Sequence, residues 1–387
     1  MVTAGTVAHR GGRETAPVAR TLVTIGTRDG ARRPRQGHDA ASRQALAQRL
    51  AAVFGWSFGG TFDAAGRYAH PLYFVPEDAL VGSDADLLGI ESPDQLYGGV
   101  VPFAFVATKV ITHPLVHPDA TAPRGWSHAF PRRVTGAVLR GFAAFTGDDA
   151  RRATDTLLAE GPVRIKCASG IGGRGQYLAR TIDEADSVLA AIDARELAES
   201  GIVVEEHLAA VTTYSVGQVE VGGLVASYCG TQQTTRNHRG DEVYGGSTLD
   251  VVRGGFDSLL GQDFHDDADE AVDLANRYDR AARACYAGLF ASRRNYDVAI
   301  GADATGARRA GVLEQSWRIG GASGAEILAL EALHRDPARG RIRCATVEAY
   351  DAGCAVPADA FVYFRGDGAA SGPVVKYAVE LHDADTG

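Results

Sequence analysis

Lysine is scarce in this chain of 387 residues: among 39 basic residues, the only lysines are Lys109, Lys166 and Lys376. Arginine therefore supplies the positive charge almost wherever any cation is sufficient. Lysine is a compact charge on a thin stem, whereas arginine is a broad planar fork. A lysine that remains in such a chain has either survived by chance or been retained because it reaches an anion, such as a phosphate, in a site too narrow for arginine.

Other absences exclude whole classes of protein. No apolar run has the length of a membrane span, and the first 20 residues lack the apolar segment of a signal peptide. The five cysteines form no C-x-x-C pair, which argues against a disulfide framework and a zinc site. The net charge of −9 is spread along the chain, so no basic surface for nucleic acid is expected. We expect a cytoplasmic protein with small-molecule substrates.

The hydrophobic pattern predicts an α/β (α+β) fold, and a hydrophobic content of 45% is sufficient for a substantial core. A small N-terminal α/β lobe is predicted from strands over 21–26 and 71–76 and a helix over 39–54. The last 40 residues are predicted to add strands and loops that close the domain. Between these parts we predict strands over 163–167, 176–180, 202–206, 213–221, 224–232, 296–300 and 311–316, and helices over 181–197, 267–291 and 323–334.

A glycine-rich segment over 170–175 has the pattern G-x-G-x-x-G, which is typical of dinucleotide-binding loops. In those proteins the glycines open a helix whose N-terminus binds the pyrophosphate. Here residues 176–180 are predicted to be extended, and a helix begins only at the capping box over 181–184. We therefore interpret the segment as a hairpin whose backbone amides can approach a phosphate beside Lys166. The alternative is a plain glycine hairpin next to a solvated lysine.

Acidic residues lie on predicted strands at two places in the chain. Glu205 and Glu206 end the strand over 202–206, where a backbone edge and one carboxylate suit adenine, although such residues are often only solvated. On a later pair of strands, Asp297 is predicted to lie near Glu314 and Ser316, which share a face because side chains alternate along a strand. Two carboxylates and a further oxygen suit Mg²⁺, whose shell is completed by phosphate oxygens and water.

In this order, the features resemble the ATP-grasp superfamily, in a bacterial branch of ATP-grasp-like proteins, over residues 105–335. The resemblance implies that ATP and Mg²⁺ are the cofactors and that Arg318 and Lys166 have catalytic roles. It implies that Mg²⁺ is bound by Asp297, Glu314 and Ser316. It implies that ATP is bound by Lys109, Lys166, Ser169, Gly170, Gly172, Gly173, Gly175, Glu205, Glu206 and Leu208.

The sequence departs from the family pattern at three places. Ser316 stands where asparagine is usual, and the expected ribose-binding glutamate falls near Thr212 or Thr213. A polar insert over 302–309 is predicted to be a longer hairpin turn. Lys376 lies outside the ATP-grasp stretch and is predicted to tolerate arginine.

The resemblance also implies a division of the chain. Residues 1–105 are expected to form the N-terminal lobe, and residues 106–200 a small subdomain with the glycine flap. Residues 201–345 are expected to form a large subdomain with the metal site, and residues 346–387 a closing segment.

The implied reaction is the ATP-dependent joining of a small carboxylate to an amine through an acylphosphate. Two alternatives remain open: a kinase that phosphorylates a small molecule, and an ATP-binding regulatory protein with a degenerate site. Arg236, His238 and Arg239 lie in a polar segment that suits a substrate carboxylate, but it is equally interpreted as an exposed loop. The remaining histidines are interpreted as ordinary, and a homo-oligomer is possible.

Overall fold

The computed structural model describes residues 18–26, 38–168, 170, 175–264, 267–351, 353–367 and 372–382. Among the predicted site residues, Ser169, Gly172 and Gly173 lie outside these ranges. The helices are α1 His38–Val53, α2 Gly82–Leu88, α3 Ala129–Arg133, α4 Gly147–Leu158, α5 Ile182–Ala191, α6 Ala194–Ser200, α7 Ala268–Cys285 and α8 Ser323–Arg335.

In the described ranges the strands fall into four sheets. They are β1 Thr21–Ile25, β2 Ser57–Thr61, β3 Leu72–Pro76, β4 Leu80–Val81, β5 Gly99–Val101, β6 Gly141–Ala144, β7 Val163–Cys167, β8 Gln176–Ala179, β9 Ile202–Glu206, β10 Ala209–Val221, β11 Leu224–Arg236, β12 Glu242–Arg253, β13 Phe290–Ala291, β14 Arg293–Ala302, β15 Arg308–Ser316, β16 Arg341–Ala349, β17 Phe361–Asp367 and β18 Pro373–Glu380.

A small antiparallel sheet has the strand order β6-β9-β7-β8. Helix α4 packs against its strands and against α5, and the shared core is aliphatic. The capping box predicted at 181–184 is present in part, since Thr181 accepts a hydrogen bond from the amide of Glu184 at the start of α5. This sheet places Lys166 on β7 next to Glu205 on β9.

A large antiparallel sheet has the order β15-β14-β10-β11-β12-β16-β18-β17. Helix α7 packs against β10, β14 and β15, and α8 packs against β12, β16 and β18. The N-terminal helix α1 reaches both α8 and β17, so the N-terminal lobe contacts the last strands of the chain. Two parts of the chain that are far apart in sequence thus meet at one end of the large sheet.

The structure corrects several predicted boundaries. Helix α7 ends at Cys285 rather than at 291, since Gly288 has a φ of +85° and β13 follows immediately. The helix predicted over 181–197 is two helices, because Asp193 caps a new one with its side chain. The turn in the predicted insert is short, because residues 302, 308 and 309 pair within β14 and β15.

The predicted division at 345 falls inside β16, so part of the closing segment continues the large sheet. All five cysteines are free, as their spacing predicts. No helix in the described ranges combines the length and the apolar character needed to cross a bilayer.

Candidate functional site

A large cavity of about 2010 Å³ runs between the small sheet, the large sheet and helix α1. All three lysines of the chain, Lys109, Lys166 and Lys376, line it and are at least nine-tenths buried. Burying a charged ammonium is unfavourable unless it is paired. In this cavity each lysine has at least one carboxylate within ion-pair distance.

Lys166 and Glu205 form the most enclosed of these pairs, with side chains about 4% and 2% exposed. Glu205 also contacts His113, whose Nε2 lies 3.1 Å from its Oε2. Burial opposes ionisation of Glu205, but the charge of Lys166 and the hydrogen bond with His113 outweigh it and lower the pKa of Glu205 to about 2. Glu205 is therefore held as a carboxylate at the base of the cavity.

His113 is a site residue that the sequence did not reveal. It is fully buried, and its Nδ1 has no hydrogen-bond partner in the described part of the chain. His117 is instead half-exposed beside Asp149, and His128 precedes α3. Nothing in the spacing of the three histidines distinguishes them, because the contact with Glu205 depends on how the 3₁₀ turn over 109–112 packs against β6 and β9.

Lys109 lies at the start of a 3₁₀ turn in which the Thr108 hydroxyl accepts a hydrogen bond from the amide of Val110. Its Nζ is 2.7 Å from Oε2 of Glu314 and donates a hydrogen bond of 2.8 Å to the carbonyl of Gly170. One predicted phosphate lysine thus connects a predicted metal ligand to the glycine segment. At the other end of that segment, Gly175 has a φ of +70°, a conformation that favours glycine. Its carbonyl accepts a hydrogen bond from the amide of Cys167.

The strand end predicted to bind adenine has an apolar wall. Leu208 lies in the cavity and forms one buried cluster with Leu139 and Ala299, against which Leu313 packs. The Glu206 carboxylate is turned aside, because it accepts hydrogen bonds from the amide and guanidinium of Arg140. A flat aromatic base fits such a wall better than a charged group does. Thr212 and Thr213, at the predicted ribose position, also line the cavity.

The predicted metal residues Asp297 and Glu314 lie directly opposite each other on β14 and β15. Asp297 Oδ1 accepts hydrogen bonds from Gln232, at 2.7 Å, and from Asn295, at 2.9 Å. Burial and the neighbouring charge of Glu314 nevertheless raise the pKa of Asp297 to about 7. Two carboxylates that repel each other in a buried site are stabilised by a divalent cation.

Ser316, the third predicted ligand, lies opposite Asn295 in the same strand pair. Its hydroxyl is 3.4 Å from Nη1 of Arg293, which also donates to the Ser316 carbonyl at 3.1 Å. The Asn295 amide is itself engaged, since its oxygen accepts a hydrogen bond from Tyr228. In the described ranges no group of three His, Cys, Asp or Glu side chains could hold a metal alone. A cation here depends on the two carboxylates and on oxygens from outside the protein.

Arg293 anchors this part of the large sheet and was not predicted. Its guanidinium forms a fully buried ion pair with Glu326 of α8, which also accepts hydrogen bonds from Tyr97 and Tyr228. The predicted catalytic residue Arg318 lies 3.9 Å from Asp78 and donates to the carbonyl of residue 319. Burial of the Glu314 carboxylate raises its pKa. The positive charge of Lys109, and to a smaller extent that of Arg318, outweighs this effect, so the pKa of Glu314 lies below its usual value.

The three predicted substrate residues do not line the cavity. They belong to the hairpin between β11 and β12, where Arg236 donates to the carbonyl of Gly240 and His238 contacts the carbonyl of Pro373. Arg239 is exposed on the same turn. The hairpin instead directs Tyr244 into the cavity, where its hydroxyl contacts Ser247 and Thr346.

Lys376 does not lie apart from the site, which removes the basis for its predicted tolerance of arginine. Its Nζ is 3.2 Å from Asp39 of α1 and 3.1 Å from Glu348 of β16. It is about 6% exposed and lines the same cavity as Lys109 and Lys166. The contact between Lys376 and Asp39 could not be predicted from the sequence, because the two residues are separated by 337 positions.

The comparisons with known proteins agree with this architecture. A family model described as "Protein of unknown function (DUF3182)" matches residues 27–378. No match was found among curated proteins.

Several solved structures of similar fold have a nucleotide bound. An N5-carboxyaminoimidazole synthetase from Staphylococcus aureus, complexed with ADP, is 14% identical with a TM-score of 0.51, over 95% of each chain. An ADP complex of an N5-carboxyaminoimidazole ribonucleotide synthetase is 12% identical with a TM-score of 0.50, over 95% of this chain and 93% of the other. The biotin carboxylase domain of Hydrogenobacter thermophilus 2-oxoglutarate carboxylase, with MgADP and bicarbonate, is 11% identical with a TM-score of 0.53, over 95% and 87%. The predicted ATP-grasp fold is confirmed.

Proposed function

The chain belongs to the DUF3182 family and has an ATP-grasp fold, and we propose that it is an ATP- and Mg²⁺-dependent ligase that joins a small carboxylate to an amine through an acylphosphate. The observation that carries the proposal is the convergence of Lys109, Lys166 and the opposed carboxylates Asp297 and Glu314 on one cavity. Solved proteins of this fold with ADP or MgADP bound, at 11–14% identity, support it.

The nucleotide would lie with its base against the leucine wall at Leu208 and its phosphates toward Lys109 and Lys166. Both lysines are held by carboxylates, at Glu314 and Glu205. A triphosphate that enters would compete with Glu314 for Lys109, and the Glu314 carboxylate would be released toward the cation. Nucleotide and metal binding are therefore expected to support each other.

Asp297 and Glu314 suit Mg²⁺, because they are hard oxygen ligands with too few partners to complete its shell without phosphate and water. When bound, the ion would neutralise phosphate charge. Gln232 and Asn295 keep the Asp297 carboxylate in place by hydrogen bonds. Ser316 is assigned at most a contact through water, because Arg293 already lies next to its hydroxyl.

In the first step a substrate carboxylate oxygen bonds to the γ-phosphorus while the bond to the ADP oxygen breaks. The amine nitrogen then bonds to the acyl carbon, phosphate leaves with the acyl oxygen, and the nitrogen loses a proton. Lys109, Lys166 and Arg318 stabilise the negative charge and orient the reacting groups, and no nucleophilic side chain is required.

The test is to incubate the protein with Mg-ATP and a panel of carboxylic acids and amines, and to measure ADP and free phosphate separately. A ligase forms both in equal amounts and only when the acid and the amine are both present. Hydroxylamine in place of the amine should trap the acylphosphate as a hydroxamate. ADP without free phosphate would instead identify a kinase, and ATP binding without turnover would identify a regulatory protein.

A further inference from the structure

The cavity is larger than a nucleotide requires. Ligand pockets typically enclose about 300–1,000 Å³, whereas this cavity has about 2010 Å³. Its far end, which we call the α1 end, is formed by Asp39 and Arg43 of α1, Glu348 of β16, Tyr363 of β17 and Lys376 of β18. It is continuous with the proposed ATP end, so a second molecule could bind in line with the nucleotide.

The charges at the α1 end are built into the fold. Lys376 and Glu348 are direct cross-strand partners on β18 and β16, and Asp39 reaches the same ammonium from α1. Glu348 also accepts a hydrogen bond from Tyr350. Asp39 and Glu348 carry two negative charges around the single ammonium of Lys376, an excess of one among these three groups, and His38 Nδ1 lies 3.1 Å from Asp39. That excess suits one additional cation.

Tyr363 points to a ligand independently of these charges. It is about 8% exposed and lines the cavity, and its hydroxyl has no hydrogen-bond partner among the described residues. The hydroxyl is open to the cavity rather than enclosed in the core, and a tyrosine hydroxyl in such a wall can pair with a bound molecule. A molecule bound at the α1 end would provide that partner.

The opposite charge lies nearer the metal pair. Arg318 lines the cavity and lies two residues beyond the end of β15, the strand that carries Glu314. Two arginines of the cavity wall have a carboxylate nearby: Arg43 has Glu77 at 3.4 Å and Arg318 has Asp78 at 3.9 Å. A ligand that carries only negative charge would be repelled by these carboxylates. A ligand that carries only positive charge would be repelled by the arginines. A zwitterion can pair with both kinds of group at once.

We propose that the α1 end selects an amino acid as substrate, with the ammonium bound by Asp39 and Glu348 and hydrogen-bonded to Tyr363, and the carboxylate directed toward Arg318. This assignment rests on the proposed ligase, because it makes that carboxylate the group that ATP activates. Lys376 is a positioning residue, which holds the two carboxylates apart and neutralises one of them.

The test is calorimetric titration of the full chain with each of the twenty common amino acids, with and without saturating Mg-ADP. For each amino acid that binds, the matching acid without the amine and the matching amine without the carboxylate are titrated as well. The variants are Asp39→Asn and Tyr363→Phe. The second removes only the hydroxyl oxygen and should not disturb folding. Glu331→Gln is the matched control, because Glu331 pairs with Arg49 on α1 but does not line the cavity.

We expect at least one amino acid to bind, its two truncated analogues to bind at least tenfold more weakly, and each site variant to weaken it about tenfold or more. Mg-ADP binding should not change in either variant, and Glu331→Gln should match the wild type. Failure of every amino acid to bind, equal binding by the analogue without the amine, or wild-type affinity in both site variants would each overturn the assignment. If amino acids bind but Mg-ADP does not, the proposed ligase is overturned. The amino-acid site is then still tested, because the titrations without nucleotide report on the α1 end.

Discussion

Lys166 on β7 forms a buried ion pair with Glu205 on the neighbouring strand β9, and His113 contacts the same carboxylate. Lys166 and Glu205 line the cavity, where a buried lysine without its carboxylate would be strongly disfavoured, and His113 reaches Glu205 from outside the cavity lining. The pair holds the proposed phosphate-binding lysine in an ordered position before any nucleotide arrives.

Removing one partner of this pair should cost more stability than removing both. Glu205→Gln leaves the Lys166 ammonium buried without an opposite charge, and we expect unfolding to require about 3–5 kcal/mol less free energy. The double variant Lys166→Met with Glu205→Leu should recover most of that loss. Urea unfolding of the three proteins measures it, and a double variant as unstable as the single one would refute the explanation.

His113 should act on the site through Glu205. His113→Leu removes the contact with the Glu205 carboxylate and should lower the free energy of unfolding by about 1–3 kcal/mol. His113→Gln retains an amide that can donate to the same oxygen and should be closer to the wild type. Urea unfolding distinguishes the two, and equal losses in both variants would mean that His113 contributes only by packing.

Asp297 should destabilise the metal-free protein above neutral pH. Its folded pKa is raised to about 7, above the usual value near 4, so the folded state retains a proton that the unfolded state has released. This contribution to stability is fully present below pH 4 and is lost as the pH rises through 7. At pH 8 in a chelator, Asp297→Asn should therefore raise the melting temperature by about 2–4 °C. No difference from the wild type at pH 8 would contradict the raised pKa.

The affinity for Mg²⁺ should also depend on the ionisation of Asp297, but it should rise over the pH range in which stability falls. Because Mg²⁺ requires both carboxylates ionised, its affinity should rise from pH 6 to pH 8. Calorimetry with MgCl₂ and ADP at three pH values measures this, with Glu314→Gln as the variant that removes one ligand while keeping its shape. An affinity independent of pH would mean that Asp297 is not a ligand.

The sequence alone predicted those features of the fold that depend on local sequence motifs. The order of Lys109, Lys166, the glycine segment and the two acidic strand positions predicted the fold, because each motif has a fixed place in a strand or turn. It did not predict the pairing of Lys376 with Asp39, because that contact requires α1 to meet the edge of the large sheet. Nor did it predict the role of Arg293, whose partners Glu326 and Ser316 come from a different helix and strand.

The most direct test of the central claim is Mg-ADP binding by calorimetry to the wild type, Lys109→Arg and Lys166→Arg. Both lysines are buried in a confined space, so the broader guanidinium should not restore their contacts. We expect saturable binding to the wild type and about ten- to a hundredfold weaker binding to each variant, with folding verified by circular dichroism. Arg151→Lys, at an exposed ion pair with Asp186 outside the cavity, should bind as the wild type does. No saturable binding to the wild type, or equal affinity in all four proteins, would contradict the assignment of this cavity to ATP.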